Sequence, residues 1–162
     1  MNVEWEKQFI QGHPLKIKDT DLFLHGTSSK NYSAIQHIGF LLRDSVARNW
    51  SISQSGICFE RYRKEAGISI DNFIDLMKHY CEVACKRDGS TEGVVLQLTG
   101  RELKEIGCCT EPDLNKPLEL KYDSEGIPID INSDASFLSI VVKDCDIPIK
   151  YLRVVRRISF KS

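Results

Sequence analysis

Apolar residues at helical spacing mark the clearest element of the chain, between residues 70 and 85. Its apolar positions recur every three or four residues, which is typical of a helix that buries one face against a core. Ser69 provides the N-terminal cap, and Gly89 ends the segment. The predicted apolar stripe consists of Ile70, Phe73, Ile74, Met77, Tyr80, Cys81, Ala84 and Cys85.

Three further helices are predicted from capping residues and apolar spacing. The first lies near the N-terminus, the second follows the first strand, and the third opens with a capping-box pattern. Trp5 and Phe9 indicate the N-terminal helix. The second helix runs from a cap at Ser28 or Ser29 to Ile38, and Gly39 ends it. The third begins at the capping box of Thr99 and Glu102 and ends at Ile106.

Strand patterns dominate the second half of the chain, whereas the helices lie mostly in the first half. This segregation favours an α+β fold over regular βαβ winding. A length of 162 residues, with no linker or repeat, predicts a single domain over residues 1–162. The predicted strands are Asp21–His25, a short strand around Cys58, Gly93–Leu98, Leu118–Tyr122, Ile127–Ile131, Phe137–Val142 and Lys150–Ile158.

The composition is that of an ordinary globular protein, with 41% hydrophobic and 28% charged residues. A net charge of −1 argues neither for nor against a polyanionic partner. The sequence contains no signal-peptide pattern and no apolar run long enough to span a membrane, so we expect a cytoplasmic protein without a membrane partner. The six cysteines are accordingly expected to be reduced thiols.

The cysteines also raise the question of a zinc site. Cys81 and Cys85 lie four residues apart, Cys108 and Cys109 are adjacent, and His79 is close in sequence. Zinc sites in proteins prefer two matched pairs of ligands at short spacing. Because the first pair belongs to the apolar stripe, burial as small hydrophobic residues is favoured, and no metal is expected.

A short apolar strand that ends in His25 and Gly26 is the main candidate for chemistry. The segment reads Leu-Phe-Leu-His-Gly-Thr-Ser-Ser from residue 22. A histidine at the end of a buried strand, followed by glycine, presents an imidazole and an unhindered backbone to a flat polar ligand. A histidine in this position is more often structural, so further signals are needed.

Three segments supply such signals in a fixed order. Asn31–Phe40 closes on Ile-Gly-Phe, residues 56–59 read Gly-Ile-Cys-Phe, and residues 140–154 combine an Ile-Val strand, an acidic connection and Lys-Tyr-Leu. With His-Gly-Thr, this order resembles the ADP-ribosyltransferases related to poly(ADP-ribose) polymerases and diphtheria toxin. The resemblance covers residues 21–60 and 136–158, and the middle of the chain matches in element order only.

The resemblance implies a fold, a co-substrate and a reaction. The fold is an ADP-ribosyltransferase-like split antiparallel β-sheet with flanking helices, and the co-substrate is NAD. His25 would hold the nicotinamide ribose, Gly26 would pair with the carboxamide, and an ADP-ribosyl group would pass to a macromolecular acceptor, with a protein favoured over a nucleic acid. The other implied cofactor contacts are Thr27, Ser53, Phe59 and Tyr62.

Two positions depart from the His-Tyr-Glu triad of this family. Cys58 occupies the tyrosine position and Leu138 the glutamate position, and neither side chain supplies the family's chemistry. Some relatives with an aliphatic residue there are thought to borrow a carboxylate from the target, and other relatives are inactive. An inactive NAD-binding, ADP-ribose-binding or protein-interaction module is therefore the alternative. Four carboxylates within the chain are candidates to replace the missing glutamate, and all are expected on solvated loops or exposed strand faces: Glu60, Glu119, Glu125 and Asp134.

Three other functional hypotheses have less support in the sequence than the ADP-ribosyltransferase resemblance. A Cys58–His25 nucleophilic pair lacks an evident third group to orient the imidazole. An RNA 2′-phosphotransferase needs several arginines near His25, and only Arg43 and Arg48 are close in sequence. The basic C-terminal strand is either a solvated sheet edge or a nucleic-acid contact, and the solvated edge is favoured. Its basic residues are Lys150, Arg153, Arg156, Arg157 and Lys161.

Overall fold

A computed structural model describes residues 15–42, 56–113, 119–132, 138–143 and 145–160. The N-terminal helix predicted around Trp5 and Phe9 lies outside these residues. The helices within them are α1 (Ser29–Ile38), α2 (Ile70–Leu76), α3 (Lys78–Asp88) and α4 (Gly100–Ile106). The strands are β1 (Leu22–Ser28), β2 (Phe40–Leu41), β3 (Ile57–Tyr62), β4 (Glu92–Thr99), β5 (Cys109–Pro112), β6 (Leu120–Tyr122), β7 (Pro128–Ile131), β8 (Leu138–Lys143), β9 (Ile147–Pro148) and β10 (Arg153–Ser159).

The described strands form one large antiparallel sheet and two small ones. The large sheet has the order β10-β4-β1-β3-β8-β5, and every neighbouring pair in it is antiparallel. The small sheets pair β2 with β9 and β6 with β7. The predicted α+β class is therefore confirmed. Of the helices in the described residues, none is long and apolar enough to cross a membrane.

Side chains alternate between two cores, one on each face of the large sheet. Successive residues of a strand point to opposite faces, so Phe23 packs into one core and Leu24 into the other. The first core also holds Phe59 and Leu96, and the second is covered by α2 and α3. The first face thus carries the larger core, and the second face lies under two helices.

The predicted helix from residue 70 to 85 is two helices that meet at Met77. The N–H of Met77 bonds to the carbonyl of Ile74 at 2.9 Å, a tighter turn than the α-helical pattern, and its ψ is −12°. The prediction of one continuous helix was wrong at this residue. Most of the apolar stripe is buried as predicted, and Phe73, Met77 and Cys81 pack on the sheet. Ile70, Tyr80 and Ala84 are only half-buried.

Capping residues fix the ends of the other helices as predicted. The Ser28 side chain accepts from the N–H of Asn31 and caps α1. Thr99 and Glu102 form a complete capping box at the start of α4, with distances of 3.1 and 3.0 Å. Because both motifs are local in sequence, they position the ends of β1 and β4 without reference to the rest of the fold.

The cysteines separate into four free thiols and one disulfide. Cys81 and Cys85 are buried on the inner side of α3, and their thiols face the carbonyls of Val94 at 3.6 Å and Glu92 at 3.3 Å. Cys108 and Cys145 are joined by a disulfide. The expectation that all six cysteines are reduced was wrong for this pair, because the fold brings their Cα atoms to 5.7 Å. No group of potential metal ligands is found among the described residues.

Candidate functional site

The large sheet opens at the centre, where β1 and β3 stop pairing. In the described residues their ladder runs from the pair Leu22–Tyr62 to the pair Leu24–Glu60. Beyond it, β1 continues along β4 as far as Ser28, and β3 continues along β8 as far as Ile57. The strands therefore diverge from His25 onward, and a cleft of about 310 Å³ lies between them. This volume is at the lower end of the range for small-molecule sites.

His25 lies where the ladder ends and bridges the two strands. Its Nδ1 is 2.7 Å from the carbonyl oxygen of Cys58. Because a carbonyl only accepts, Nδ1 carries the hydrogen, and a neutral ring then has its lone pair on Nε2. The Phe59 ring lies beside the imidazole, with centroids 5.5 Å apart. The side chain is half-buried and lines the cleft, so one nitrogen is held by the sheet while the ring borders the open space.

The glycine after His25 has a structural reason that the sequence did not show. A Cβ at Gly26 would meet the carbonyl oxygen of Met77 at 3.0 Å and the Cβ of Tyr80 at 3.1 Å. Glycine therefore lets α3 pack closely on β1, whereas the sequence-based interpretation attributed it to ligand approach alone. Gly26 also lines the cleft, so the backbone there borders both the helix and the open space.

A carboxylate with two hydroxyl donors lines the cleft on the face of the sheet that α3 covers. Glu60 Oε1 accepts hydrogen bonds from the Tyr80 hydroxyl at 2.7 Å and from Ser139 Oγ at 2.6 Å. Burial, followed by the negative charge of Glu60, raises the pKa of Tyr80 well above its ordinary range. Tyr80 thus remains a protonated donor at neutral pH. Asp113, which is 5% exposed, lies beside this group and donates its backbone N–H to the carbonyl of Ser139 at 3.0 Å.

Leu138 does not face this carboxylate. Its side chain is 7% exposed and packs in the core with Phe23 and Phe59. The neighbouring Ser139 pairs in register with Glu60, so it is Ser139 that faces the carboxylate. The position that the resemblance assigns to the family glutamate therefore points into the core, because residue parity on β8 turns it away from Glu60.

The other predicted site residues divide between the cleft and the core. Cys58, Phe59 and Thr27 line the cleft, and Cys58 is half-buried. Tyr62 is 8% exposed and packs on Phe73, and its hydroxyl donates to a backbone carbonyl at 2.9 Å, so it belongs to the core under α2. Ser53 lies outside the described residues, as do Arg43, Arg48 and Asp134.

Sequence reasoning missed the helical side of the cleft. Tyr80, Val83 and Arg87 line it from α3, and the sequence analysis had placed Tyr80 only in an apolar stripe. Glu60 was expected on an exposed surface, which was wrong, since it is half-buried and lines the cleft. Its parity with Cys58 on β3 was the signal available in the sequence, because residues two apart on a strand share a face.

The rim of the cleft along α3 carries both signs of charge. His79 and Arg87 are exposed there, and no ion pair within the described residues involves Arg87. Asp88 accepts hydrogen bonds from Ser28 Oγ and from the N–H of Ser90 at 2.9 Å. Partial burial opposes ionisation of Asp88, but these hydrogen bonds outweigh it and hold its pKa below the ordinary value.

The basic C-terminal strand is neutralised by its neighbours. Arg153 pairs with Glu102 at 3.0 Å, and Arg157 pairs with Glu92 at 3.0 Å. Arg156 contacts two aspartates on α2, one of them Asp71 at 3.5 Å. Because these arginines already face carboxylates, the strand fits a charged sheet edge better than a nucleic-acid contact.

The comparisons add no relative to this geometry. No protein-family model, no curated protein and no solved structure matches the chain. The functional argument therefore depends on the site itself: a cleft between diverging strands that is lined by an imidazole and by a carboxylate held by two hydroxyl groups.

Proposed function

We propose that this protein is an NAD-dependent mono-ADP-ribosyltransferase whose cleft between β1 and β3 binds the nicotinamide half of NAD. The observation that carries the proposal is the divergence of the sheet at His25, which coincides with the His-Gly-Thr segment of the resemblance. A split antiparallel sheet is what that resemblance implies. The finer fold assignment and the expected cytoplasmic location belong to the same proposal.

Different residues of the cleft contact different parts of NAD. The His25 ring, fixed through Nδ1 by the Cys58 carbonyl, presents Nε2 to a ribose hydroxyl. The backbone at Gly26 pairs with the carboxamide, and Phe59 closes the floor beside the imidazole. Fixing these groups on sheet strands reduces the conformational freedom lost when the ligand binds.

The proposed reaction transfers an ADP-ribosyl group with release of nicotinamide. The glycosidic bond between ribose C1′ and the ring nitrogen breaks, and its electron pair leaves with nicotinamide, which becomes neutral. A nucleophile on the acceptor, for which we favour a protein side chain, then forms a new bond to C1′ and gives up its proton. Charge develops on the ribose in between, and stabilising such charge is usually the largest catalytic contribution.

NAD binding is tested by thermal unfolding, because a ligand that binds only the native state raises its melting temperature. We expect NAD to stabilise the wild type and to release nicotinamide. His25→Ala should lose both effects. His25→Asn is the matched control for folding, since its amide keeps a donor near the Nδ1 position: the melting temperature without NAD should stay close to that of the wild type, while nicotinamide release is lost. Unchanged release in both variants would falsify the site assignment.

The alternative is a binding module of the same fold without transfer. Cys58 and Leu138 favour it, because neither supplies the ring or the carboxylate of the family triad. The two functions give different results with labelled NAD and a cell lysate. A transferase leaves label on acceptor molecules, whereas a binding module shows NAD-dependent stabilisation without covalent label.

A further inference from the structure

The cleft that His25 lines also contains a tyrosine and a glutamate, the two residue types that the family positions lack here. We propose that Tyr80 on α3 and Glu60 on β3 supply the ring and the carboxylate missing at Cys58 and Leu138, so that His25, Tyr80 and Glu60 form the working site. This inference rests on the proposed function and names residues that carry it. It differs from the family pattern because one of the two groups comes from a helix.

Glu60 is held in place by two hydrogen bonds to its carboxyl group. One oxygen accepts two hydroxyl donors, from Tyr80 and Ser139, at 2.7 and 2.6 Å. Both donors are neutral, so they orient the group without cancelling its charge. The side chain is half-buried and lines the cleft, which strengthens its effect on a positive charge that develops there.

Tyr80 offers an aromatic face to the same space. Its Cβ lies 3.1 Å from the position that a Gly26 Cβ would occupy, so the side chain begins directly against the bare backbone of β1. The residue is half-buried and lines the cleft, and its hydroxyl is fixed by Glu60. A ring anchored at both ends presents a flat surface to nicotinamide at little cost in conformational entropy.

Within the proposed reaction, Glu60 acts twice. Its carboxylate stabilises the positive charge on the ribose while the bond from C1′ to nicotinamide breaks. It then accepts the proton that the acceptor nucleophile loses as the new bond to C1′ forms, and returns that proton to solvent. Tyr80 holds the departing ring and orients the carboxylate through its hydroxyl.

Three variants separate these roles, with NAD affinity measured by calorimetry and nicotinamide release measured with water as acceptor. For Glu60→Gln we expect release to fall about 100-fold or more with little change in affinity. Tyr80→Phe keeps the ring and loses the donor, so release should fall about ten-fold at similar affinity. Tyr80→Leu removes the ring, and NAD affinity should fall about ten-fold.

Matched controls are Glu65→Gln and Tyr122→Phe, since both residues are exposed and neither lines the cleft. Neither should change affinity or release, and circular dichroism checks that all variants fold. Wild-type release by Glu60→Gln, or wild-type affinity of Tyr80→Leu, overturns this inference while leaving the proposed function standing. A wild type that binds no NAD, or releases no nicotinamide, overturns the proposed function itself.

Discussion

A buried ion pair ties the start of β1 to the end of β3. Asp21 is fully buried and accepts from Arg63 Nε at 2.6 Å and Nη2 at 3.0 Å. Its second oxygen also accepts the N–H of Lys18 at 2.9 Å. Arg63 additionally donates to the carbonyl of Lys16. The ion pair therefore holds β1 and β3 together at the end where the two strands still pair, away from the point where they diverge at the cleft.

Removing one partner of this pair should be far more costly than breaking an exposed pair. We expect Asp21→Ala to lower the free energy of unfolding by about 3–5 kcal/mol, since it leaves the Arg63 charge buried without its carboxylate. Asp19→Ala is the matched control, because Asp19 pairs with Lys104 at 2.9 Å on the surface and should show little change. Urea unfolding measures both variants, and equal losses would contradict the argument.

At the scale of elements, a serine and an aspartate join the start of α1 to the end of α3. Ser28 accepts the N–H of Asn31 as the cap of α1 and donates to Asp88. Lys30 adds a bond from Nζ to the Asp88 carbonyl at 2.9 Å. The two helices that border the cleft are therefore linked at one end, independently of the sheet.

This link predicts a pH dependence. The pKa of Asp88 is lowered in the folded protein, because the hydrogen bonds to it outweigh its partial burial. A lowered folded pKa contributes stability above the ordinary value of 3.8, and that contribution is lost as the pH falls through the folded pKa. Wild type should therefore lose more stability than Asp88→Asn when the pH drops from about 5 to about 3. Exposed Glu65→Gln is the control, and parallel curves for wild type and Asp88→Asn would contradict this prediction.

Local signals in the sequence predicted most elements but few of their partners. The caps at Ser28 and Thr99 and the buried stripe through Phe73 are short-range patterns, and the structure confirms them. The break at Met77 was not predicted, because the apolar spacing continues through this residue. The strand β5 was not predicted either, because its sequence has little apolar pattern. Such features depend on what the segment packs against.

At the scale of the whole molecule, the order of strands decides which side chains meet. His25, Phe59 and Gly26 were predicted for the site from two segments of the resemblance, and all three line the cleft. The contact between Glu60 and Ser139 could not be predicted from the sequence, because it joins residues 79 apart through the register of β3 and β8. Register follows from long-range packing, which a single sequence does not display.

The disulfide is the last whole-molecule feature with a measurable consequence. Cys108 precedes β5 and Cys145 follows β8, so the bond closes a loop with a separation of 37 residues. Loop-closure entropy predicts a gain of about 4 kcal/mol over the reduced chain.

We expect Cys108→Ser to unfold at a lower urea concentration than the wild type under oxidising conditions, and the difference to vanish when a reductant is added. Cys109→Ser is the matched control, because Cys109 is adjacent, exposed and outside the disulfide. Alkylation before and after reduction, followed by mass spectrometry, counts the thiols. Finding Cys108 and Cys145 alkylated without reductant would contradict the disulfide, because both thiols would then be free.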